Sequence, residues 1–174
     1  MAALDKVPTN INFLQQVGFK FEIPRSPNFN YFIQKVSFPG VSLPNVFEPN
    51  PFVKNNLPGD HIEYNPLKIT FKLDENLKGY FEMYDWIYSL GKPDNFEKSS
   101  VIYKKPNYDA NAVYSDCSLT ILNSNMQPNV KINFYDVLPE TLSGFELYTD
   151  ATDINYITAS MEFRYRYYKY EYDM

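Results

Sequence analysis

The clearest pattern in the chain runs from Leu57 to Gly91, where the spacing of hydrophobic residues changes from two to between three and four. Leu67, Ile69, Phe71 and Leu73 alternate with Lys68, Thr70 and Lys72, which predicts a strand with one apolar and one wet face. Leu77, Tyr80, Phe81, Tyr84, Ile87 and Tyr88 then recur at helical spacing. A helix is therefore expected over 75–91, with Phe81 and Tyr84 at the middle of a stripe buried on a sheet. Asp74 and Glu75 stand where the positive end of a helix favours carboxylates, and Gly91 followed by Pro93 ends it. Pro58-Gly59-Asp60 marks a turn ahead of both elements.

Elsewhere the pattern is that of strands. Phe19, Phe21 and Ile23 alternate with Lys20 and Glu22; Pro24 and Pro27 break the alternation and leave Arg25–Asn30 as a loop. Tyr31–Phe38 resumes as a second strand. Ser115–Leu122 and Val130–Val137 flank the polar reversal Asn123–Asn129, a hairpin signal. Leu138–Gly144 is expected to turn again through Pro139 and Gly144. In the last strand Ile157, Ala159, Met161, Phe163, Tyr165 and Tyr167 alternate with Thr158, Ser160, Glu162, Arg164 and Arg166, a core face against a polar one. Its length of about eleven residues is twice the usual ~5–6. Asp94–Asn111 has no clean period and reads as an irregular loop, and 1–14 reads as an N-terminal arm. No internal repeat or low-complexity tract is present. The expected fold class is mainly β, an antiparallel β-sandwich or barrel with one flanking α-helix, as a single domain over 1–174.

One segment stands apart. Residues 39–66 contain six prolines, which exclude a regular central strand, and they exceed the ~12–15 residues of an ordinary connection. Yet Val41, Leu43, Val46, Phe47, Phe52, Val53 and Leu57 supply apolar anchors that a solvated linker lacks. Two readings follow from the residues. The segment is an extended arm or hairpin that packs on a neighbouring subunit, or a long loop folded over its own core.

Composition narrows the function classes. Aromatic residues make up 18% of the 174-residue chain, with 16 Tyr and 14 Phe, which favours strands and interfaces over a helical bundle. A net charge of -5 argues against a nucleic-acid grip, which needs clustered positive charge. The lone Cys117 excludes an internal disulfide framework. Residues 1–20 hold no apolar run behind a basic start, and nothing approaches the ~18 apolar residues of a membrane helix, so neither a signal peptide nor a membrane anchor is expected.

Candidate chemistry is sparse. His61 is the only histidine and follows a turn, where a solvated residue is the plain reading. Cys117 alternates with Leu119 and Ile121, as a core residue does. Asp150 and Asp153 share a turn but lack the glycine and closing glutamate of a calcium loop. The six glycines are scattered, with no phosphate-cradling loop. No catalytic residue, metal or cofactor is expected, and an enzyme is not the reading. An unrelated carbohydrate- or protein-binding sandwich, using exposed tyrosines, stays open. The arm and the over-long last strand point to assembly.

Taken in order, SFPGVSLP (37–44), PGDHIEYNPLKITFKLDENL (58–77) and a helix ending in DWIYSLG (85–91) resemble the tail tube proteins of contractile-tailed bacteriophages. The resemblance spans about Val17–Tyr170. It implies a small sandwich or barrel with an outer helix, in sixfold homo-oligomeric rings that stack into a tube. Double-stranded DNA passes transiently through that tube. It further implies that 39–66, with Val41, Leu43, Val46, Phe47, Phe52, Val53 and Leu57, is the hairpin arm that reaches an adjacent subunit or ring. The polar strand faces, here Thr158, Ser160, Glu162 and Arg164, would line the channel. The partners implied are adjacent tube rings, sheath, baseplate or neck proteins, and the location is the virion tail, after synthesis in the host bacterial cytoplasm. The proline-dense arm and the tyrosine-rich end Tyr165–Tyr172 depart from a repeating tube subunit. Similar plans are those of a terminal ring, either tail completion (tube terminator) or baseplate tube initiator, and of the tube of a bacterial contractile injection system.

Overall fold

The period-two segments pair as antiparallel ladders in the computed structural model, which describes residues 12–91, 113–149 and 155–172. The expectations placed on 1–11, Asp94–Asn111 and Asp150–Asp153 lie outside the described residues. Strand β1 (Phe19–Glu22) pairs with β8 (Ser115–Leu122), and β8 with the 15-residue β9 (Pro128–Leu142). The first half of β9 also pairs β11 (Tyr167–Tyr172), its second half β10 (Thr158–Arg164). Beyond β10 lie β7 (Leu67–Lys72) and β2 (Ile33–Ser37). The order β1-β8-β9-β10-β7-β2 is open at both ends, so these strands form two sandwich-like layers joined along β9, not a closed barrel. Phe21, Leu119, Ile132 and Phe134 face inward from one layer, and Leu67, Ile69, Phe71, Ala159, Met161 and Phe163 from the other.

The β8–β9 reversal is held by Asn123, whose side-chain oxygen accepts hydrogen bonds from the backbone N–H of Asn125 (2.9 Å) and Gln127 (3.0 Å). Met126, at φ 60°, takes the left-handed conformation that closes the turn.

Four local readings of the sequence are corrected. Arg25–Asn30 is not simply a loop: α1 (Pro27–Tyr31) starts on Pro27, whose missing N–H costs nothing in the first turn. It carries Phe29, fully buried, 4.7 Å from the ring of Phe71. Second, β9 does not turn at Pro139. That proline lies in the strand, opposite Phe163, where the register shifts and a missing donor is tolerated. Third, the last strand is not continuous. It breaks at Tyr165–Arg166 between β10 and β11, across from Asp136, which sits at φ 55° in β9. The ribbon bends there, and Arg166 faces Asp136 at 3.5 Å.

The fourth correction concerns α2 (Lys78–Gly91). Asp74 anchors its start, its carboxylate oxygens accepting from the N–H groups of Lys78 (3.1 Å) and Gly79 (3.3 Å). The buried face is Gly79, Met83, Trp86 and Ser89, while Phe81 is 50% exposed and Tyr84 is also exposed. Helix α1 decides this. A Cβ on Gly79 would lie 3.4 Å from the Phe29 Cα, so the two helices cross at the glycine and the aromatic stripe turns outward.

Candidate subunit interface

Residues 39–66 form a hairpin built in two sections. Near the body, β3 (Val41–Ser42) pairs with β6 (Glu63–Tyr64), and further out β4 (Asn45–Glu48) pairs with β5 (Asn55–Pro58). Between the sections Gly59 passes the Pro44 carbonyl so closely that any Cβ would collide with backbone, which accounts for the Pro-Gly pair there. The Asn65 N–H donates to the Gly40 carbonyl at 3.0 Å and closes the base.

The base is set on aromatic rings. Tyr64 packs 5.5 Å from Tyr165 and 5.6 Å from Tyr168, and Phe38 lies 5.5 Å from Tyr168. The tyrosine-rich end of the chain thus supports the root of the hairpin. Burial, then the neighbouring Tyr168 and Tyr64, push the Tyr165 hydroxyl well above the usual phenol range. Its oxygen is buried without a hydrogen-bond partner.

Beyond the base the hairpin touches little of its own body. Val41, Leu43, Val46, Phe47, Phe52, Val53 and Leu57 are all exposed. Val46 and Leu57 are cross-strand partners on one face; on the other, the Lys54 ammonium lies 3.4 Å over the Phe47 ring. At the tip the Asn50 side chain accepts from the Phe52 N–H at 3.1 Å, and the Phe52 ring is 91% exposed. Of the two readings left by the residues, these side chains do not fold back over the chain's own core.

The polar residues of β10 are placed differently from one another. Thr158 and Arg164 are exposed, and Ser160 and Glu162 are half-buried. Glu162 and Arg164, expected to offset each other along the strand, each have a nearer partner across the sheet, and Glu162 acts on Arg164 only after Glu140. Glu162 pairs across to Lys68 of β7 at 2.9 Å, and Arg164 to Glu140 of β9 at 2.6 Å. The hydrogen bond and charge of Glu140 hold the Arg164 guanidinium more firmly protonated than usual. Cross-strand partners are invisible in a single-strand pattern, and so these pairs were beyond sequence reasoning.

No nucleophile emerges from Cys117. Its thiol is buried, and burial followed by Asp116 pushes its pKa far above the ordinary range, away from the reactive thiolate. His61 is exposed in the bend after Asp60. Among the described residues no group of three or more His, Cys, Asp or Glu could hold a metal ion, and no helix is long and apolar enough to cross a membrane.

This fold, two joined layers with a flanking helix and a projecting hairpin, is shared by chains in solved structures of contractile injection systems. The tube-terminating cap of the anti-feeding prophage matches it with a TM-score of 0.61 at 12% identity, over 99% of each chain. The sheath/tube terminator complex of the extracellular contractile injection system PVC contains a chain matching at 0.61 and 10% identity, over 93% of this chain and 99% of that one. No family model matches the sequence. The tail tube terminator protein of Enterobacteria phage T4 is 30% identical over 164 residues, 88% of either chain. The chain belongs to the tail tube terminator family.

Proposed function

We propose that the chain forms the ring that ends the inner tube of a contractile phage tail. Copies join as a homo-oligomer, sixfold by analogy with the 6-fold symmetrised baseplate of the anti-feeding prophage, from which a chain shares the fold at a TM-score of 0.59. The ring stacks on the last tube ring, meets sheath and neck proteins, and leaves a bore for double-stranded DNA. The observation that carries this reading is the 30% identity to a tube terminator across nearly the whole chain. The uncovered apolar arm supports it, because seven exposed apolar side chains gathered on one hairpin make a patch of the kind that marks a protein–protein contact. A role as a structural component, without catalysis, agrees with the inert Cys117 and the solvated His61.

Negative-stain imaging of the purified protein tests the reading. Discrete single rings are the expected result. Long tubes would make it a repeating tube subunit, and monomers at micromolar concentration would overturn the ring.

In the ring, the polar face of β7 and β10 lines the bore, with Thr158, Ser160, Glu162 and Arg164 along it. The Lys68–Glu162 and Arg164–Glu140 pairs cancel locally, so the wall neither repels nor grips phosphates. Glu162→Lys strips Lys68 of its partner and adds a cation beside it. DNA ejection from assembled particles is expected to slow at low salt and to recover as the Debye length shrinks from ~30 Å at 0.01 M to ~10 Å at 0.1 M. Normal ejection at low salt would remove this face from the bore.

A further inference from the structure

An open cleft of about 360 Å³ lies between the two layers beside β1 and β2. Phe19, Leu119, Ile121 and Ile132 line it from one layer and Val36 and Phe38 from the other. The lining is apolar and contains no charged residue; Leu14, Gln15 and Gln16 close one side. Val36 and Phe38 lead directly into the arm, so the cleft lies at the arm's root. The same molecule therefore carries an empty apolar socket at the root of its arm and an unburied apolar plug, Phe52 and Val53, at the tip.

We propose that the arm tip of one copy seats in the root cleft of the next copy of this chain. The proposal rests on the ring reading and deepens it by naming the socket. Three features select a second copy as the occupant. Reach is the first: Val41 to Pro51 spans about 33 Å at the rise of an extended strand. A 174-residue domain has a radius of gyration of about 16 Å, hence a diameter near 40 Å. The arm therefore spans about one subunit, from its own root to the neighbour's. Charge is the second, since Pro49–Val53 carries none and the socket has none, so docking strips no ion of water. Asymmetry is the third. Plug and socket are different surfaces, so the contact is heterologous and repeats head to tail, the arrangement that closes into a ring when the rotation permits.

The chain's single native cysteine is buried, which makes introduced cysteines selective reporters. Pro51→Cys combined with Val17→Cys alters two exposed positions beside the plug and the socket and leaves both intact, so the variant retains its fold and its contact. Light scattering first establishes that it self-associates as the unmodified protein does. A short bis-maleimide is then expected to yield a ladder of cross-linked oligomers from the double variant. An equal mixture of the two single variants should give heterodimers without the ladder. Phe52→Asp is expected to weaken self-association about tenfold or more, as loss of an anchor side chain does. Assembled protein without a 51–17 cross-link overturns the socket while leaving the ring standing. A cross-link confined within single chains overturns it too, by showing that the arm folds back on its own cleft. Cross-linking that appears only after residues 1–11 are removed would assign the cleft to the chain's own beginning. Failure of the unmodified protein to self-associate at any concentration overturns the ring reading and the socket with it.

Discussion

Trp86→Ala is expected to lower the melting temperature by roughly 10 °C, while Phe81→Ala, five residues earlier on the same helix, hardly moves it. Trp86 is 2% exposed, its ring lies 6.1 Å from Phe163, and the Arg25 guanidinium sits 4.8 Å above it. Its indole N–H donates to the Val113 carbonyl at 3.3 Å. Truncation removes a large ring from the seam between α2 and the sheet and leaves that carbonyl without its donor, a cost of ~3–5 kcal/mol. For a domain of this size each kcal/mol shifts the midpoint by ~2–4 °C. Phe81 is half in water, and among the described residues its ring meets those of Tyr80 and Tyr84, edge-on at 5.9 and 6.4 Å. Its loss should cost about 1 kcal/mol or less. Thermal denaturation followed by circular dichroism measures both. Equal drops would mean that α2 docks through its aromatic stripe after all.

That contrast shows where the hydrophobic pattern was legible and where it was not. The existence of α2 and the role of Asp74 ahead of it follow from local chemistry, a carboxylate at the first free N–H groups, although the helix begins at Lys78, three residues after the expected 75. Its orientation does not. Two stripes run along it, one of tyrosines and phenylalanine at 80, 81, 84 and 88, the other Gly79, Met83, Trp86 and Leu90. Ranking by aromatic bulk selects the first. The structure uses the second, because α1 packs against α2 at Gly79, where even a Cβ would touch the Phe29 backbone at 3.4 Å, and α1 is five residues long with almost no periodic signal of its own. Spacing of i, i+4, i+7 and i+11 from a glycine would have been the readable clue.

The strands divide in the same way. Alternation in β7, β8 and the first half of β9 is local, and so their inward faces could be assigned residue by residue. Whether β10 and β11 form one strand depends on their partner. Asp136 and Pro139 sit in β9, and the break at Tyr165–Arg166 opposite them lies nearly 30 residues further along the chain. Pairings such as Lys68 with Glu162, 94 positions apart, are set by sheet order and register. For the arm, the prolines and apolar anchors were visible in the sequence; the aromatic seat under its root, which joins Tyr64 to Tyr165 and Tyr168, emerges only once the chain's end folds back beside it.

Removing the outer arm is expected to separate folding from assembly. Asn45 and Pro58 are cross-strand partners, so Val46–Leu57 can be replaced by Asn-Gly, whose type I′ turn suits a two-residue connection. The excision takes away Val46, Phe47, Phe52, Val53 and Leu57, all exposed, and leaves untouched the β3–β6 base, the Gly59–Pro44 crossing and the tyrosine seat. No core contact is lost, so the melting temperature of the monomer should change by only a few degrees. Assembly is another matter. Fully covering one large apolar side chain contributes ~1.5–3 kcal/mol; Val46, Phe47 and Leu57 are about half covered already and Phe52 and Val53 less so, and together the five account for about 5 kcal/mol or more at a subunit contact. At ~1.4 kcal/mol per tenfold, self-association should weaken more than a thousandfold. Light scattering at a concentration where the intact chain is fully assembled should then report a folded monomer. Rings that persist would mean that the arm is not what joins the copies. Unfolding would instead make the arm part of the domain's own core, against the exposure of every side chain removed.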